Sequence, residues 1–116
     1  MRTKKRGKWL SREYIPSILQ SADDERCYLC HRPLFLEVHH IFGKYQRRMS
    51  GDNGFTVKLC HSCHNAPPNG VHFNRERDRA LKAECERKYL ETHTYDEWMS
   101  LVGRNYIELD ILTEVK

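Results

Sequence analysis

Four cysteines of this 116-residue chain fall into two C-x2-C pairs, Cys27/Cys30 and Cys60/Cys63, separated by residues 31–59. Each pair can present two sulfurs from one tight turn, and two such turns complete the closed tetrahedral S4 set that structural zinc favours. Free thiols and two disulfides are the alternatives. Disulfides fit poorly with an odd total of five cysteines and with an N-terminus that lacks the apolar core of a secretory leader. A zinc staple would tie the start of a hairpin to its end, supplying what a small core cannot. Cys85 stands apart on the apolar face of a helix and reads as a buried small hydrophobe.

If four sulfurs fill that sphere, the histidines are left over. Residues 36–74 carry His39, His40, His61, His64 and His72. Neighbours on a strand point to opposite faces, so His39 and His40 suit two roles, one toward a metal and one toward a substrate. Glu37, two residues before His39 on the same face, is placed to orient that imidazole. His64 follows the second knuckle directly, where it can meet a hairpin ligand across the stapled core. A divalent ion held by few protein ligands keeps positions open for water and a phosphate oxygen. A neutral imidazole of pKa about 6.5 can take a proton from water. Phosphodiester hydrolysis needs both parts. The competing readings are a structural strand feature or a mixed Cys/His zinc site. His31 and His61 read as exposed loop residues, and His93, ahead of a capping pattern, as structural.

The charge distribution favours a polyanion. Residues 1–8, MRTKKRGK, hold five bases and no acid, with Lys4, Lys5 and Arg6 at their centre. The loop 44–48, KYQRR, adds Lys44, Arg47 and Arg48 close to the histidine pair. A solubilising tail is the plain alternative for the arm; arm and loop together point to nucleic acid. The net charge is +4, and no stretch approaches the roughly 18–20 apolar residues that span a bilayer. A cytoplasmic protein without a membrane partner is the expectation.

The elements that must position these residues predict an α+β class: an arm over 1–8, then one domain over 9–116 with a core at 27–75, a helical extension at 76–104 and a tail at 105–116. Pro16 interrupts residues 9–22, which should form a short helix packing Trp9, Ile15, Ile18 or Leu19 on the core. "LFLEVHHIF" (34–42) reads as a strand, followed by a polar loop with Gly51-Asp52-Asn53-Gly54 as its turn. "FTVKL" (55–59) returns as the second strand. A short helix begins after Cys63 and is cut by Pro67-Pro68 and Asn69-Gly70. From about residue 74 Leu81, Cys85 and Tyr89 recur at helical spacing, with Ala80 and Leu90 beside them. Thr94 and Glu97 make a capping box for a second helix that Gly103 ends. The closing "YIELDILTEVK" is a strand or an ordered tail.

The series C-x2-C, "EVHHI" and "LCHSCHN" resembles the HNH (ββα-metal) nucleases, especially zinc-stapled versions common in phages and prophages. The resemblance covers residues 27–75 and, more loosely, the helix that follows. It implies a zinc-stapled, treble-clef-like ββα-metal core with additional C-terminal helices. It implies a DNA endonuclease, with RNA left open, that uses structural Zn2+ and a catalytic Mg2+ or another divalent ion. By the same resemblance His39 is a metal ligand, His40 the general base, His64 a second ligand, His72 a further one and Glu37 the acidic position before the doublet. The family's central asparagine falls at Phe55 here, so Asn53 or a backbone carbonyl would brace the base. Phage DNA-processing proteins are the implied partners. Two other classes compete: a zinc-stapled nucleic-acid-binding module that does not cut, and a protein-interaction domain docking through the charged helix 74–91.

Overall fold

Two antiparallel strands, β1 (Leu36–His40) and β2 (Thr56–Cys60), form the centre of the chain. Their register runs from Leu36 opposite Cys60 to His40 opposite Thr56. The computed structural model describes residues 15–108; Lys4, Lys5 and Arg6 of the basic arm, with Trp9, lie outside them. β2 is buried almost throughout, whereas β1 buries only His39. β1 is shorter than the apolar run around it. Phe35 takes a positive φ of 53° and leaves the ladder, exposed together with Leu34.

The segment between the strands departs from the expected loop. Residues Lys44–Gln46 make one 3-10 turn, and α1 spans Arg47–Asn53. Gly54, at φ 75°, caps α1 in the left-handed region, so Gly51-Asp52-Asn53-Gly54 marks a helix end and not a hairpin turn. The buried Ser50 locks this insert: its Oγ accepts from Phe42 N at 2.9 Å and donates to Phe42 O at 2.7 Å.

The helix expected over 9–22 does not extend into 15–22, where the chain bends. With Pro16 interrupting, these residues serve as an edge cover instead. Gln20 Oε1 accepts from Lys58 N at 2.8 Å, and Ile18 and Leu19 pack on the core.

After β2 come α2 (His61–His64), α3 (Arg75–Tyr89) and α4 (Tyr95–Leu101). α2 begins before Cys63, so Cys63 and His64 share its single turn. Asn74 caps α3 by accepting from Arg77 N, and the Thr94/Glu97 capping box starts α4. Leu81, Cys85 and Tyr89 are buried as the helical spacing requires; Ala83 joins them, while Ala80 is exposed. Trp98, wholly buried, packs edge-on to Phe42 at 5.6 Å and near Phe55 at 5.6 Å, binding α4 to the hairpin. Burying each such ring contributes roughly 1.5–3 kcal/mol. Residues 106–108 turn helically, and the rest of the tail lies outside the described residues. The result is a small α+β fold. Among the described residues no helix is long and apolar enough to cross a membrane.

Candidate metal centres and the cleft beside them

The sulfurs of Cys27, Cys30, Cys60 and Cys63 all lie within 4.8 Å of one another, with Cys30 and Cys60 at 3.6 Å. Sulfurs on a tetrahedral zinc with bonds of about 2.3 Å stand about 3.8 Å apart, so the four cysteines can hold a zinc ion. The first knuckle is closed by backbone: Cys30 N donates to Cys27 Sγ at 3.4 Å, and His31 N donates to Cys27 O at 2.9 Å. Tyr28 N donates to Lys58 O at 2.7 Å, seating the knuckle beside β2. The second knuckle is the β2–α2 junction, and Arg77 Nη2 of α3 reaches Cys63 Sγ at 3.8 Å. Burial works against ionising Cys27, yet N–H groups of Cys30, Cys60 and Leu29 bring its thiol down to about 6. Burial and the neighbouring sulfurs push Cys63 up to about 12. One thiolate thus suppresses the next, and a dication is what allows all four to ionise.

A second cluster joins β1, α2 and the loop after it. His39, His64 and His72 each offer a nitrogen, and the three nitrogens lie within 4.8 Å of one another. The eight-residue gap to His72 closes because the chain folds back on α2. Val71 N donates to Cys63 O at 2.8 Å and His72 N to His64 O at 3.2 Å. Gly70 permits this approach: a Cβ there would stand 2.7 Å from Ala66 N and 2.8 Å from His64 O.

The donor geometry fits a cation. Nε2 of His64 and Nε2 of His72 face each other at 3.1 Å, and His39 Nε2 is buried with no hydrogen-bond partner. Imidazole nitrogens sharing a cation at about 2.1 Å stand about 3.0–3.4 Å apart. Burial, then the neighbouring His64 and His72, brings His39 down to about 3, and burial also lowers His72, so both stay in the neutral, ligating form.

Glu37 does not orient His39. Its Oε1 lies 2.6 Å from His64 Nδ1, and its Oε2 lies 3.6 Å from Nδ1 of His61, the residue read as a bystander. The register explains the change of partner. Glu37 stands opposite Leu59, one residue before β2 runs into α2, so the α2 histidines come down over it. The bond to His64 lowers the carboxyl of Glu37 below its ordinary value. With His64 Nδ1 engaged by a carboxylate, Nε2 carries the lone pair toward the cluster.

His39 and His40 border one cleft of about 690 Å3, together with His72, Lys44, Arg75 and Lys82. They escape the opposite-face rule because β1 ends at His40. The His40 ring rests on Gly51 of α1, where a Cβ would lie 3.5 Å from Nε2. Burial, and then the Arg47 charge, lowers its pKa. His40 Nδ1 is buried without a partner. Asn53 does not brace it: the Asn53 amide donates to Met49 O at 2.9 Å, inside the helix that replaces the expected turn. Phe55, where the nucleases that the sequence resembles carry asparagine, is wholly buried against Tyr89 and Trp98.

Of the basic loop, Lys44 lines the cleft, Arg47 acts on His40, and Arg48 pairs with Asp52 at 3.9 Å. Arg75 and Lys82 escaped the sequence reading, which gave the charged helix 74–91 a binding role only in the competing class of a protein-interaction domain. The cap residue Asn74 was their signal, since it fixes Arg75 in the first turn directly after His72 and Phe73. No family model, curated protein or solved structure matches the chain.

Proposed function

We propose that this chain is a metal-dependent endonuclease of HNH type that hydrolyses phosphodiester bonds in DNA, with a ββα-metal core stapled by structural zinc. The reading rests on one observation: three imidazoles converge beside His40 at a cleft lined by cationic side chains. His39, His64 and His72 would hold a divalent ion there, with Glu37 steadying His64. An all-imidazole donor set suits Mn2+, Ni2+, Co2+ or Zn2+ better than Mg2+, which prefers oxygen ligands. A bound ion would polarise a phosphate oxygen and ease departure of the leaving oxygen. His40, kept neutral by burial, would take a proton from the attacking water. Lys44 and Arg75 would meet backbone phosphates, which makes binding salt-sensitive.

Nicking of supercoiled plasmid with Mg2+, Mn2+ or Ni2+ tests this. The expected result is relaxed circles with the transition ions and a loss of about 10²–10⁴-fold in His40→Ala. Intact plasmid with every ion, from parent and variant alike, overturns it. The unbraced Nδ1 of His40 favours a second reading, a zinc-stapled module that binds nucleic acid without cutting it. Retarded plasmid with no nicking in any ion is its signature.

A further inference from the structure

Two aromatic rings stand in solvent at the mouth of the histidine cleft. Tyr45 is 87% exposed and Phe73 is 56% exposed, and both line the same cleft as His39, His40 and His72. Single exposed apolar side chains are ordinary on any protein surface. These two differ from Leu34, Phe35, Val38 and Tyr95, which are also exposed but do not line the cleft.

The backbone under each ring is fixed. Tyr45 sits in the 3-10 turn behind Lys44, a non-glycine residue held at φ 54°. Such backbone persists only where its surroundings impose it. Gln46 imposes it from the other side: its N donates to Gly43 O at 3.0 Å and its Nε2 to Val102 O at 3.0 Å. Phe73 N donates to Gly70 O at 2.8 Å, and Phe73 stands between His72 and the helix cap Asn74. Each ring also has a cation next to it in sequence, Lys44 beside Tyr45 and Arg75 two residues after Phe73. Lys82 lines the cleft as well, paired with Asp78 at 2.8 Å.

We propose that Tyr45 and Phe73 form a base-stacking platform that selects unpaired nucleotides, so that the cleft takes single-stranded or locally opened DNA in preference to closed duplex. The inference rests on the nucleic-acid reading of the cleft given above. Cations alone serve a duplex, because a duplex presents phosphates and keeps its base faces stacked on each other. Exposed rings gain contact only with bases whose faces are free, and such stacking tolerates any sequence.

Binding by the zinc-loaded His40→Ala chain at low salt tests the platform. The probes are a fluorescein-labelled oligothymidylate of about twelve nucleotides, the same backbone carrying abasic sites, and a matched hairpin duplex. The normal strand should bind about a hundredfold tighter than the abasic strand, about tenfold for each ring, and tighter than the duplex. Adding Tyr45→Ala or Phe73→Ala should weaken the normal strand by about tenfold and hardly change the abasic one, while Tyr45→Phe retains affinity. Both rings are exposed, so the alanine variants should keep the parent's thermal melt. Equal binding of normal and abasic strands, alanine variants that bind like the parent, or tighter binding of duplex overturns the proposal. Failure to bind all three probes also overturns it. Nicking by the parent chain is scored separately. Ring-dependent strand binding without nicking removes the nuclease reading and leaves the platform; nicking with ring-blind binding removes the platform alone.

Discussion

Oε1 of Glu37 lies 2.6 Å from Nδ1 of His64, so a carboxylate on the first strand holds the imidazole that the one-turn helix α2 brings to the histidine cluster. A carboxylate on the far nitrogen fixes the tautomer and raises the basicity of the ligating one. Glu37→Ala should therefore weaken Mn2+ or Ni2+ binding by about 10–100-fold while zinc stays bound at the four cysteines. Calorimetric titration of the zinc-loaded chain measures it. Unchanged affinity would mean that Glu37 neutralises surface charge and nothing more.

Gly70 is the hinge of the fold-back that delivers His72. A Cβ at this position would meet Ala66 N at 2.7 Å, Ala66 O at 2.7 Å and His64 O at 2.8 Å, and all three are backbone atoms. Gly70→Ala must push residues 70–72 off α2, at a cost of about 1–3 kcal/mol. Its Ni2+ affinity should fall to that of His72→Ala. A variant that melts lower yet binds Ni2+ like the parent would show that His72 is not in the ion's coordination sphere.

The parts legible in the sequence are those set by short-range rules. The C-x2-C pairs, a second strand near residues 55–59 and the Thr94/Glu97 box each depend on neighbours within a few positions. The structure brings the cysteines together, forms the box and sets the strand one residue later, at Thr56–Cys60, buried almost throughout instead of alternating. Gly54 misled because one left-handed glycine serves both a hairpin turn and a helix cap; only the packing of Ser50 on Phe42 decides for the helix. Period-two reasoning put Glu37 on the face of His39 but could not say which imidazole α2 would lay over it. The closeness of His72 to His64 depends on two backbone bonds across the Pro67–Gly70 loop, which residue types do not announce.

The cysteine cluster should carry much of the stability. Cys60 lies at the junction of β2 and α2, buried, with its sulfur 3.6 Å from that of Cys30. Cys60→Ser should lose zinc and the cooperative melt together, since structural zinc in peptide-sized sites is worth about 10–16 kcal/mol of apparent binding. Cys85→Ala, which removes a wholly buried sulfur outside the cluster, should lower the melting temperature and keep the zinc. Metal analysis of both variants before and after mild chelation separates the roles. Zinc retained by Cys60→Ser with an unchanged melt would sink the staple.

Glu86 gives a pH signature away from both clusters. One carboxylate oxygen accepts from Tyr106 N at 2.7 Å and Ile107 N at 3.1 Å, anchoring the chain after α4, while the other is buried with no partner. Burial raises its pKa above the ordinary 4.5, against the pull of those N–H groups. A carboxyl whose folded pKa is raised binds its proton more tightly folded than unfolded. Its stabilising contribution is complete below the unfolded value and is lost as pH climbs through the folded one. Glu86→Gln keeps an acceptor for both N–H groups but cannot ionise. Its melting temperature should therefore gain on that of the parent as pH rises above the ordinary 4.5 and through the folded value, whatever constant offset the buried amide adds. Parallel curves for the two proteins over that range would show that Glu86 has the same pKa folded and unfolded, and that the N–H bonds fully offset its burial.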